Sequence, residues 1–256
     1  MKSLKYLPLT LAAVFVATLS TTAQTSPGNI LSVETQTPKN GMTQQYEQGR
    51  KQKADWHKQQ KDPAPLLVFE IQTGDQTGSY LVVRANLHWA DMDHPAITDA
   101  ADIDEFNKVI GSYVASVTDS YYEFLPKFSN PDNSPLPAKY SEDLILRVKP
   151  GKDADFRAAV GRISAAEKKA NPDQHTMIYE LVNGGFSGTY AVVFPHARWA
   201  DFEENPNAKS MPQVLNEAYG PDEAATILAA ADNAIESEYT QILEFRQDLS
   251  YVPPSP

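Results

Sequence analysis

The chain matches itself. Lys39 to Asp91 aligns without a gap onto Lys149 to Asp201 at a constant offset of 110 residues. Glu70, Gly74, Gly78, Tyr80, Val82, Val83, Trp89, Ala90 and Asp91 recur as Glu180, Gly184, Gly188, Tyr190, Val192, Val193, Trp199, Ala200 and Asp201. A repeat of this kind commits the chain to two copies of one supersecondary unit, each needing the other to bury its apolar surface. Past the tryptophans the offset grows to 121, where Glu123, Phe124 and Ser129 match Glu244, Phe245 and Ser250. The second copy therefore carries an insertion of about 11 residues between Phe202 and Thr226.

The rest of the organisation follows. Lys2 and Lys5, the apolar stretch Leu7 to Leu19 and Thr21-Thr22-Ala23 read as a secretory signal over residues 1–23. The apolar run is too short for a membrane anchor. A first repeat is expected over 24–130, a linker with Pro131, Pro135 and Pro137 over 131–140, a second repeat over 141–252, and a tail over 253–256. The implied location is periplasmic or secreted.

With no cysteine there is no disulfide, thiolate metal site or thiol nucleophile. Removing Lys2 and Lys5 with the signal takes the formal charge from -11 to -13. So acidic a protein is repelled by phosphate backbones and anionic lipid, which argues against nucleic acid and against a membrane as partners once the signal is cleaved.

In the second copy, Leu144 to Lys149 reads as a strand, broken by Pro150-Gly151. Phe156, Ala159, Val160, Ile163, Ala166 and Ala170 recur at helical spacing. Met177 to Leu181 and Thr189 to Trp199 read as a hairpin joined through Asn183-Gly184-Gly185. A second helix is expected from about Glu223 to Tyr239 and a last strand from Glu244 to Ser250. Strand, helix, strand, strand, helix, strand is the split β-α-β unit of ferredoxin-like folds. The expected class is α+β, two fused ferredoxin-like repeats packed sheet to sheet as an intramolecular α/β barrel.

In element order and duplication, residues 30 to 251 resemble the dimeric α/β-barrel superfamily, which includes antibiotic-biosynthesis-type monooxygenases and NIPSNAP-like proteins. The fusion of both units in one chain is similar to that in chlorite-dismutase-like proteins. The resemblance implies architecture, and with it a cofactor-independent or haem-dependent oxygenase chemistry; no catalytic motif of those families is present.

Strand alternation sorts the candidate site residues by face. Leu81, Val83, Ala85, Leu87 and Trp89 form an apolar face expected to meet the helices. Tyr80, Val82, Arg84, Asn86 and His88, with Tyr190, Val192, Phe194, His196 and Arg198, form a mixed face expected to line the barrel. Tyr80, Arg84, Asn86, His88, Tyr190, His196 and Arg198 are thus the candidate ligand-binding residues, suited to a small organic molecule, anionic ones included. His88 or His196 can also serve as a base or haem ligand, although the sequence requires no cofactor. Against this stands a structural role, with the polar groups paired to Glu70 and Glu180 or reaching solvent at the rim.

The run His88-Trp89-Ala90-Asp91-Met92-Asp93-His94 invites a metal reading, but its partner Arg198-Trp199-Ala200-Asp201-Phe202-Glu203-Glu204 has no histidine. A repeated turn closed by aspartate explains the block better, and no metal is expected. Trp89 and Trp199 read as core plugs. The glycine pairs sit between strands, where no helix N-terminus can hold phosphate. Three functions remain: a ligand-binding protein, an oxygenase-type enzyme, or a structural interaction module, as a monomer or homodimer.

Overall fold

A computed structural model of the chain describes residues 28–132, 134, 136–203 and 208–254. The expected signal segment lies outside them. The first repeat runs β1 (Ile30–Pro38), α1 (Thr43–Gln60), β2 (Leu66–Ile71), β3 (Tyr80–Leu87), α2 (Asp99–Val109) and β4 (Val114–Phe124). The second runs β5 (Tyr140–Val148), α3 (Asp153–Ala170), β6 (Met177–Asn183), β7 (Thr189–His196), α4 (Met211–Tyr219), α5 (Pro221–Ala234) and β8 (Ile235–Phe245). The class is α+β. In each half the helices lie against one face of a four-stranded antiparallel sheet, in the order β4-β1-β3-β2 and β8-β5-β7-β6.

The halves join along two seams, β2 with β8 and β4 with β6, so the eight strands close into one ring. At the seams Phe69 stands opposite Phe245 and Phe124 opposite Tyr179. Their ring centroids are 5.4 and 5.5 Å apart, and these aromatic pairs plug the ring from within at equivalent positions of the two repeats.

The faces of the sheet are the reverse of the sequence expectation. Tyr80 and Val82 pack with Tyr46 and Ala54 of α1, and Tyr190 packs with Phe156 of α3. The mixed face therefore lies under the helices. Leu81 and Val83 stand beside Phe69 and Leu67, whose side chains turn into the ring. The physical reason is that no helix reaches the ring interior to bring polar partners to β3, so β3 turns its wholly apolar side inward. A helix carries carboxylates, and Glu47 of α1 and Asp153 of α3 satisfy the hydroxyls of Tyr80 and Tyr190 at 2.8 and 2.5 Å.

Two other expectations change. The last helix ends at Ala234, and Ile235–Phe245 is a single long strand; residues 247–249 form a 3-10 turn. No glycine or proline marks that helix-to-strand switch, so helical spacing read on through Tyr239. Trp89 and Trp199 are 52% and 51% exposed in 3-10 turns rather than core plugs. They are displaced because Asp91 and Asp201 close those turns, each accepting from the backbone N–H at the turn's start.

The stretch without a counterpart in the first repeat carries α4. Val214 and Leu215 of α4 bury against Ala159 and Ala166 of α3 and Ala224, Ile227 and Ala231 of α5. Among the described residues, no counterpart of α4 covers α1.

Candidate functional site

That difference governs what lies beneath the first helix. The buried face of α1 is Tyr46, Gly49, Arg50, Lys53, Ala54 and His57, a spacing of three and four residues that defines one stripe. At an offset of 110, Arg50, Lys53 and His57 correspond to Val160, Ile163 and Glu167 of α3. At Arg50 and Lys53 the second repeat is apolar where the first is charged; at His57 it has a glutamate.

Arg50, Lys53, His57 and Asp62 are each at most 2% exposed. Lys61, in the left-handed conformation at φ 55°, ends α1 and turns the chain so that Asp62 comes back beneath it. His57 Nδ1 lies 2.8 Å from Asp62 Oδ2, and Arg84 Nη2 donates to the same carboxylate at 3.0 Å. Burial opposes ionisation of Asp62, yet the hydrogen bonds from His57 and the Ala64 amide and the Arg84 charge hold it below the usual carboxylate range. With Nδ1 engaged by the carboxylate, the free nitrogen of His57 is Nε2, 3.3 Å from Asp102 Oδ1 but outside hydrogen-bonding alignment.

Lys53 Nζ reaches Asp102 Oδ1 at 3.0 Å and donates to the Asp102 carbonyl at 2.6 Å. Burial pulls its pKa below the ordinary lysine value. Arg50 is different. Neither its Nε nor its Nη2 has a hydrogen-bond partner among the described residues. Glu34 is influenced by the Arg50 charge, but burial pushes the Glu34 carboxyl up and Gln36 takes its hydrogen bond at 2.6 Å. The helices close tightly here: a Cβ on Gly49 would stand 2.1 Å from the Val109 carbonyl oxygen. A concavity of about 350 Å³, bordered by Gln48, Gly49, Gln52 and Lys108, adjoins α1 at that point.

The sequence candidates are scattered by comparison. Arg84 joins the cluster through Asp62, and Tyr80 sits beneath α1 on Glu47. Tyr190 occupies the equivalent place in the other repeat. Asn86 is exposed at φ 62°, and its carbonyl accepts from the Gly28 N–H. His88 and Arg198 begin the two 3-10 turns, with Arg198 donating to Asp201 at 2.9 Å. His196 lies on the outer face, stacked on Phe202 at 4.1 Å, beside a second concavity that His175 and Asp201 also border. Among the described residues no group of three or more histidines and carboxylates is placed to hold a metal. The mixed-face candidates that lie on the strands point away from the ring interior, which is therefore not the site they form.

Within the ring, Asp143 of β5 was not anticipated. It is 5% exposed, accepts from Ser141 Oγ at 2.7 Å and from Gln241, and burial pushes its carboxyl up to about 7. Burial likewise raises Tyr122 to about 12 and Tyr179 further, the Asp143 charge adding to both. Sequence reasoning missed this group because Asp143 falls on a strand read as starting one residue later. It missed Arg50 and Lys53 because a charged helix face reads as solvated, and it assigned His57 no role. The comparison of the two repeats at those positions was the signal that could have found them.

No protein-family model matches the chain, and no curated protein does. Solved structures resemble it in fold. A candidate monooxygenase from Lactobacillus acidophilus superposes with a TM-score of 0.54 at 9% identity, covering 88% of this chain and 96% of the other. A candidate monooxygenase from Fusobacterium nucleatum gives 0.54 at 14% identity, covering 86% and 94%. A variant of the chlorite dismutase from Candidatus Nitrospira defluvii gives 0.51 at 9% identity, covering 87% and 93%. At these identities the likeness is one of fold.

Proposed function

We propose that this is an exported protein that binds a small anionic molecule, a carboxylate or phosphate, in the helix–sheet layer of its first repeat. Arg50 is the anchor. One observation carries the reading: a guanidinium 2% exposed, with two nitrogens, Nε and Nη2, unmatched by any described residue, where the second repeat has Val160. A buried cation left without a partner costs several kcal/mol, and an anion both removes that cost and gains a bidentate contact. Lys53 and Arg84 are already engaged by Asp102 and Asp62, so Arg50 is the cation in this layer that remains to be matched.

The test is native mass spectrometry of the protein and of Arg50→Val, the residue the second repeat uses there. The wild type is expected to carry a non-covalent mass that the variant lacks while keeping its fold. Retention of the same bound mass by the variant sinks the reading.

A second reading rests on the His57–Asp62 pair. A histidine oriented by a carboxylate through one nitrogen, with the other nitrogen outside any hydrogen bond and 3.3 Å from Asp102 Oδ1, is placed to accept a proton. On this reading the anion is turned over. Oxygen consumption that is lost in His57→Gln and retained in His196→Gln would select it.

A further inference from the structure

Among the described residues, the two seams leave the first halves of β4 and β8 without a neighbouring strand on one side. β4 pairs with β1 along its length, but with β6 only from Tyr121 to Phe124. The β6–β7 turn crosses it at Gly184, where a Cβ would lie 2.3 Å from the Asp119 carbonyl oxygen. Beyond that crossing, Val114–Thr118 is an open edge, exposed from Ala115 onward. β8 repeats the arrangement, pairing with β2 only from Leu243 to Phe245. Ile235–Tyr239 is its corresponding edge.

The two edges differ in chemistry. The β8 edge carries Glu236, held by Arg147 at 3.1 Å, and Glu238. Charges of that kind are how folded proteins prevent strands from adding to an open edge. The β4 edge reads Val114-Ala115-Ser116-Val117-Thr118, with no charge and with Val117 40% exposed. It is short, of high strand propensity and unprotected.

We propose that two copies of this protein associate through this edge, β4 running antiparallel to β4 of the other copy about a twofold axis at Ser116. That register sets Val114 against Thr118 and Ala115 against Val117, and no charge meets its like. Just past the pairing, Asp119 comes opposite Tyr113 of the other copy. No carboxylate faces Asp119 there: the neighbouring turn carries Lys39, whose Nζ donates to the Ser112 carbonyl at 2.9 Å. Pairing β4 with β8 of another copy would instead bring Asp119 towards Glu236 and Glu238. Self-pairing is thus the arrangement that the charges favour, and an isologous twofold closes without building a filament.

Sedimentation velocity across a concentration series tests this. The expected result is a monomer–dimer equilibrium. Ser116→Glu, which opposes two carboxylates on the axis at an exposed position, weakens it by roughly tenfold or more without altering the melting temperature. Because the chain has no cysteine, Ser116→Cys gives an independent readout. It should form an interchain disulfide on mild oxidation, whereas Ser237→Cys, the equivalent residue of β8, should not. A monomer at all concentrations, a dimer indifferent to Ser116→Glu, or equal cross-linking by Ser237→Cys overturns the proposal. Should Ser116→Glu fail to fold, the cysteine pair decides alone.

Discussion

Glu70 and Glu244 stand directly opposite one another across the β2–β8 seam, and Glu123 and Glu180 do the same across the β4–β6 seam. Like charges at facing strand positions repel. Each seam is held by cations drawn from elsewhere: Arg246 donates to Glu70 at 2.7 Å and Lys139 to Glu244 at 2.6 Å, while Arg157 of α3 donates to Glu180 at 2.5 Å. The repeated glutamates are thus matched by arginines that are not themselves repeats of one another.

Arg246 is the more consequential of the two. Its side chain is 16% exposed and bridges Glu47 and Glu70, whereas that of Arg157 is 32% exposed. Placed between surface pairs, worth up to about 1 kcal/mol, and buried ones, whose breaking costs about 3–5, Arg246→Ala should lose about 2 kcal/mol and Arg157→Ala less. Glu47 is held below the usual carboxylate range: burial opposes this, but hydrogen bonds from Arg246 and Tyr80 outweigh it. The contribution is therefore present above the unfolded carboxylate pKa and disappears as pH falls through the lower folded value. Urea unfolding at pH 7 and at pH 3 should show the difference between wild type and Arg246→Ala shrinking in acid.

Asp143 acts with the opposite sign. Its folded pKa of about 7 lies above the unfolded value, so below about pH 4 the carboxyl is protonated in both states and costs nothing. From there to neutrality the unfolded chain gives up the proton while the folded ring keeps it. Stability falls over that window and levels off above it. Asp143→Asn should be about 4 kcal/mol more stable than wild type at pH 8 and nearly equal to it at pH 4. Equal melting at pH 8 would show that the ring interior admits water at this position.

The proposal that residues 1–23 are an export signal makes a simple mass prediction. Protein recovered from its own host should begin at Gln24, and the intact mass should lack Lys2 and Lys5 with the rest of the signal. An intact Met1 on the recovered protein would remove the case for export.

The duplication made the element order readable, because gaps in one copy's pattern were filled by the other. The ring and its two seams then place Glu70 and Glu180 at equal positions, as their matching offset requires. The site was less readable. Tyr80 and Arg84 were recognised, but on the wrong side of the sheet, since alternation tells which residues share a face and not which face meets the helix. Arg50 and Lys53 were invisible for a related reason. A charged helical stripe looks solvated until the fold shows that α2 and the sheet enclose it.

The covalent join between the repeats has an effect beyond topology. Two separate subunits making the same ring would come apart on dilution and would have to present identical surfaces to each other. Linked through one chain, the second half is always at a high effective concentration, so ring closure no longer depends on how much protein is present. It also no longer enforces identity. One half can bury a hydrophobic cap such as α4 and serve as foundation, leaving the other free to bury Arg50 in place of Val160 and to carry a cost in stability that a symmetric pair would incur twice.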